Sequence, residues 1–170
     1  MNKKLRLLIT TKCPNNCPLC CNKNFDLDSL EGLEDLTQYD EVSITGGEPM
    51  LINVDILTRF INLLSSMKKK VYLYTSIATI DTIDMGCFSA LNGITLTLHS
   101  QKDLDNFIIS NKRCLERKNP LRKVSLILKY FKGMELPKDI DLSMWKVKET
   151  EWVENCPLPE GEDFKKFILF

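Results

Sequence analysis

Short β-type apolar runs and stretches of helical period alternate along the chain from about residue 4 to residue 131. Lys4 to Thr11 is a first apolar, β-tolerant run. The stripe Leu27, Leu30, Leu33, Leu36 predicts a short helix, capped by Asp28 or Ser29. Glu41 to Thr45 reads as a second strand, ended by Gly46-Gly47. Asn53 is placed to cap a helix whose apolar face is Ile56, Leu57, Phe60, Ile61, Leu64 and Met67. Lys70 to Ser76 forms a third strand, rich in β-formers. A weaker helix is expected around Asp81 to Leu91, with Asn92-Gly93 as its stop, and Ile94 to Ser100 is a fourth strand. Leu104, Phe107, Ile108, Asn111 and Leu115 mark another helix, and Lys123 to Phe131 a fifth strand.

Strands separated by helices predict βαβ units, a mainly parallel sheet and right-handed crossovers. Beyond Gly133 the pattern weakens: Ser143 to Val147 could add a strand, and Phe164, Phe167 and Ile168 of the tail are expected to dock on the body. The strand faces are unequal. In the fourth strand Ile94, Leu96 and Leu98 oppose Thr95, Thr97 and His99; in the fifth, Val124, Leu126 and Leu128 oppose Ser125, Ile127 and Lys129. In the second, Val42 and Ile44 oppose Ser43 and Thr45. A doubly wound sheet would be apolar on both faces, and a closed eight-stranded barrel would fill its interior with branched apolar side chains. The pattern instead suits an incomplete barrel with a wet cavity lined by hydroxyls and His99. A sheet with one solvated face would show the same alternation.

The 170 residues favour a single domain over 1–170, with a core over 1–131 and a C-terminal extension over 132–170. Such a domain buries roughly 70% of its unfolded surface, enough for a core without staples. The 23 basic and 23 acidic residues cancel, which argues against general nucleic-acid binding. No apolar run approaches the ~20 residues of a membrane span, and the run after Lys3-Lys4 is too short for a leader. A cytoplasmic location is therefore expected.

Cysteine breaks the ordinary composition. There are seven, an odd number, and four stand between Cys13 and Cys21. Without an export pattern, this set argues for metal rather than disulfides. Cys13, Cys17 and Cys20 form a C-x3-C-x2-C array directly after the first strand, in a loop rich in Pro and Asn. Thiolates suit zinc or iron–sulfur clusters. Three ligands would leave one iron of a [4Fe–4S] cluster open; a zinc knuckle completed by Cys21 or Cys156 is the alternative. Cys87 and Cys114 sit at helical apolar positions and are expected in the core.

Two motifs in order make the chain resemble the radical S-adenosylmethionine (radical SAM) superfamily, as a small, core-only member. One is Cys13-x3-Cys17-x2-Cys20; the other is Ile44-Thr45-Gly46-Gly47-Glu48-Pro49 at the end of the second strand. The resemblance covers roughly the first 130 residues, and it implies an α/β fold: a partial (βα)5–6 barrel on a mainly parallel sheet. It implies that Cys13, Cys17 and Cys20 bind three irons of a [4Fe–4S] cluster while SAM chelates the fourth. Gly46, Gly47 and Glu48 would hold the SAM amino group, and Ser76 and Ser100 its ribose or carboxylate. His99 would bind SAM or substrate, or donate a proton, although a structural histidine fits equally. Lys129 could face substrate, with a solvated strand-end lysine as the other reading. The chain departs from the family at Leu19, where an aromatic residue is common, and in having Cys21 beside Cys20.

The activity implied is reductive cleavage of SAM to a 5′-deoxyadenosyl radical that abstracts hydrogen from a small-molecule or peptide substrate. A low-potential electron donor of flavodoxin or ferredoxin type is implied, and a partner protein could enclose the substrate. The alternatives are a glycyl-radical-enzyme activase, a 7-deazaguanine-type ring-forming enzyme, and a zinc-stabilised binding module without catalysis.

Overall fold

The computed structural model describes residues 3–15, 17, 20–78, 88–116, 123–153 and 157–169, without the Cys21 side chain. Among them the strands are β1 (Lys4–Leu8), β2 (Glu41–Thr45), β3 (Lys70–Thr75), β4 (Gly93–Leu98), β5 (Ser125–Phe131), β6 (Lys146–Thr150) and β7 (Glu162–Lys166). Two α-helices are described, α1 (Val54–Ser66) between β2 and β3 and α2 (Gln101–Glu116) between β4 and β5. The strands form one sheet in the order β6-β5-β4-β3-β2-β1-β7. Every neighbouring pair is parallel. The fold is α/β on an all-parallel sheet, compatible with a partial barrel.

The unequal faces place the helices. Leu5, Leu7, Val42, Ile44, Val71, Leu73, Ile94 and Leu126 join Leu57, Phe60, Ile61 and Leu64 of α1 in one buried cluster. Leu96, Leu98 and Leu128 join Leu104 and Phe107 of α2 in a second. Each such side chain stabilises the fold by about 1.5–3 kcal/mol over its exposed state. Asn53 caps α1 as expected, its side chain accepting from the Asp55 and Ile56 amides. Met67, counted on the apolar face, instead ends the helix at 40% exposure.

Three expectations change. Leu27 to Leu36 is not a helix: a turn covers 27–29, and Gly32 bridges to Lys166 beside β7. Asp26 caps the turn by accepting the Asp28 and Ser29 amides, but Glu31 and Leu33 then bond the backbone of Lys166 instead of continuing a helix. The sixth strand begins at Lys146 rather than Ser143, after Asp141 has taken the Ser143 amide and Trp145 has closed a turn onto Leu142. The tail does more than dock. It is a strand, and Phe167 and Leu169 continue its bonding to the carbonyls of Leu8 and Ile9. The stretch 132–170 therefore supplies both edge strands of the sheet. The helix expected near Asp81 lies outside the described residues apart from a turn at 88–90. Among the described residues, no helix is long and apolar enough to cross a membrane.

Candidate functional site

The cysteine loop leaves β1 at the carboxyl end of the sheet, where parallel α/β folds bind ligands. Its stem is locked against the turn after β2. The Gly47 amide donates to Thr10 O at 2.6 Å, and the Glu48 amide to Lys12 O at 2.7 Å. This contact requires glycine. A Cβ on Gly47 would stand 2.0 Å from the Lys12 carbonyl oxygen, and one on Gly46 would stand 2.6 Å from that of Thr10. Gly46 also adopts φ +131°, a conformation that favours glycine. On the far side of the loop, the Asn22 side chain donates to Gly46 O at 2.5 Å.

Glu48 is the buried hub of this corner, 2% exposed. Its Oε1 accepts from the Thr75 hydroxyl at 2.6 Å and the Met50 amide at 3.0 Å. Its Oε2 accepts from the Ser76 amide and the Ser76 hydroxyl, each at 2.8 Å. Ser76 Oγ in turn accepts from Asn15 Nδ2 at 2.9 Å. One carboxylate thus ties the ends of β2 and β3 together and, through Ser76, reaches into the cysteine loop.

These groups open on one cavity of about 370 Å³. Cys13, Cys17 and Cys20 line it together with Gly46, Gly47, Glu48, Ser76 and His99. The polar strand face forms the rest of the wall through Thr45, Tyr74, Thr97 and Lys129, as the alternation in β2 and β4 predicts. Ser100 is not among the lining residues. It is exposed and accepts the Asp103 amide at the start of α2, while the Asp103 carboxylate takes the His99 amide. Lys129 is half-buried against the cavity rather than solvated.

The three thiols are free. Burial pushes Cys13 and Cys17 above the ordinary thiol value, and the neighbouring cysteines raise both further. The three therefore sit within electrostatic reach of one another, and any metal they bind must displace their protons. Among the described residues, no compact group of three His, Cys, Asp or Glu side chains forms a preshaped metal site. Cys114 is half-buried and packs on the core, as expected. Cys87 and Cys156, and the Cys21 side chain, lie outside the description.

His99 stands at the rim with its Nδ1 buried and without a hydrogen-bond partner. Its ring lies 5.4 Å from Phe131 and 5.7 Å from Trp152, which stack on each other at 3.8 Å. Burial holds the imidazole below its ordinary value, against the pull of Asp103, Glu48 and the Thr97 backbone. Thr150, Glu151, Trp152 and Val153 were not singled out as lining residues in the sequence. The signal available was Trp152 itself, an aromatic residue just past an anticipated strand.

No protein-family profile matches the chain. The chain is distantly similar to GTP 3′,8-cyclases. Those of Clostridium perfringens strain SM101 / Type A and strain 13 / Type A are each 24% identical to it over 187 residues. The likeness takes in 95% of this chain, and the chain spans 58% of the length of these relatives.

Proposed function

We propose that the chain is a radical SAM enzyme acting on a small-molecule or peptide substrate held in the cavity. One observation carries this reading: the three-cysteine loop and the Gly46-Gly47-Glu48 turn, distant in sequence, are joined backbone to backbone and open on the same cavity. The likeness to GTP 3′,8-cyclases, which are radical SAM enzymes, supports the class.

The residues present fit the cofactors this class uses. Three soft thiols on one loop would hold a [4Fe–4S] cluster at Cys13, Cys17 and Cys20. The chemistry such a cluster would supply, once bound and reduced, is the electron for reductive cleavage of SAM to methionine and a 5′-deoxyadenosyl radical. The chain's own groups do the rest. An ammonium requires acceptors; Gly46 and Gly47 line the cavity and their carbonyls would supply them, while Glu48, saturated by Met50, Thr75 and Ser76, holds the turn in place. Asn22 orients the Gly46 carbonyl, and Ser76, whose hydroxyl proton goes to Glu48, would accept from a ribose hydroxyl. His99 lines the cavity and would meet the cofactor or the substrate there. The protein's part in such chemistry is to bind and orient the cofactor against the substrate.

Anaerobic reconstitution with iron and sulfide, followed by dithionite and SAM, should give a brown protein and release 5′-deoxyadenosine. Cys13→Ala, Cys17→Ala and Cys20→Ala should each lose the cluster, whereas Cys114→Ala should retain it. A colourless protein carrying stoichiometric zinc, or a brown one that leaves SAM intact, would overturn the reading.

A further inference from the structure

Among the described residues, the cavity wall carries a cation with no carboxylate paired to it. Lys129 lies on the polar face of β5, in register with Thr97 on β4 and Lys148 on β6. Its Nζ stands 6.0 Å from the centre of the Tyr74 ring, which braces the ammonium over the aromatic face. The charged groups acting on it most strongly are Lys148 and Arg6, both cations, and together with burial they lower its pKa.

The carboxylates of the cavity lining are otherwise engaged. Glu48 accepts four hydrogen bonds from Met50, Thr75 and Ser76. Glu151 pairs with Lys132 at 2.9 Å. Arg6 is itself neutralised by Glu162 at 2.6 Å. Among the described residues, no ion pair is formed by Lys129. A half-buried ammonium beside a second lysine is unfavourable unless an anion arrives, and the cavity is the route by which one can.

Register gives that anion a place. Lys129 pairs with Thr97 of β4, one residue past the Leu96–Thr75 pair, which sets it level with Ser76 at the end of β3. The cysteines, Ser76 and Lys129 line the same cavity. We propose that the substrate carries an anionic group, a carboxylate or a phosphate, that seats on Lys129. Its reacting end then lies toward the cysteine loop, on the β1 side of the cavity. The proposal rests on the function proposed above, naming the chemical class of its substrate.

The test reads binding rather than turnover, so it stands apart from whether SAM is cleaved. The full chain, with folding verified by its melting curve, is titrated calorimetrically with inorganic pyrophosphate and separately with succinate, at matched ionic strength. Saturable binding of one probe is expected, and the probe that binds tells phosphate from carboxylate. Lys129→Gln should weaken it roughly tenfold or more, the scale of one charge-assisted hydrogen bond. Lys129→Arg should stay within about threefold because it restores the cation, and Lys112→Gln, an exposed lysine of α2 away from the cavity lining, should match the parent chain. Failure of both probes to bind, or equal affinity in Lys129→Gln, overturns the proposal.

Discussion

Gly47→Ala is the sharpest perturbation available, because it adds one methyl group where only backbone surrounds it. That methyl carbon would meet Lys12 O at 2.0 Å, Lys12 C at 2.5 Å and Thr11 C at 2.7 Å, whereas ordinary contact begins at 3.4 Å. None of these atoms belongs to a side chain that could rotate away. Either the stem of the cysteine loop retreats, or the turn after β2 does, by on the order of an ångström. Both routes break the bonds from Gly47 N to Thr10 O and from Glu48 N to Lys12 O. Two bonds at about 1 kcal/mol each, with about 1–3 kcal/mol of overpacking, give a loss of about 3–5 kcal/mol. That is a large part of the ~5–15 kcal/mol stability of an ordinary domain. Urea unfolding measures it, and iron bound after reconstitution reports whether the loop still presents its cysteines. Two other glycines separate the causes. Gly32→Ala has open space and should be neutral, while Gly133→Ala has open space but φ +94° and should cost about 1–2 kcal/mol. A Gly47→Ala protein within 1 kcal/mol of the parent chain, with full iron uptake, would refute the argument.

Glu48→Ala leaves the Thr75 hydroxyl, the Met50 amide and both Ser76 donors facing a void, so it should destabilise by about 3 kcal/mol. Chemical denaturation checks this, and a loss under about 1 kcal/mol would mean that water replaces the carboxylate at little cost. The folded-state pKa of His99 lies below its ordinary 6.5, so the unfolded chain takes the proton first as pH falls. Its contribution to stability is full above pH 6.5 and is lost below it. The parent chain should therefore lose stability relative to His99→Gln as the pH falls below 6.5, measured by melting at a series of pH values on either side of it. A parallel pH dependence in the two proteins would remove the imidazole from the account. Ending the chain after Gly161 deletes β7 and bares the edge of β1. Gel filtration and circular dichroism should then show aggregation or unfolding, and a monomer with a cooperative melt would contradict this role for β7.

The parallel sheet was legible because its alternations were clean. Ile94, Leu96 and Leu98 against Thr95, Thr97 and His99 foretold both the helix-covered face and the cavity wall, and the structure agrees on each. The cysteine and Gly-Gly-Glu motifs were legible as a pair, but their physical junction was not: backbone atoms at Thr10 and Lys12 have no side-chain signature. Glu48 read as a direct contact for a cofactor amine; its four donors make it first a strut between strands. Leu27 to Leu36 misled because its spacing is helical while Asp26 and Gly32 belong to a turn and a bridge. The stretch Glu162-Asp-Phe-Lys-Lys has one apolar residue in five, so no period marked it as a strand. Only its place beside β1 does, with Phe164 set in register with Arg6.

That placement governs when the protein can mature. β1 is not an edge: β2 flanks it on one side and β7 on the other. Closing the β1–β7 pair joins Lys4 to Glu162 and Leu8 to Lys166, contacts that span nearly the whole chain. Such long-range pairing is slow to form, and it waits on a strand that leaves the ribosome long after the cysteines. The base of the cysteine loop is thus set late. Any iron taken up under the function proposed would enter the finished polypeptide rather than the nascent one, and until then three thiols travel on a half-framed strand, open to oxidation.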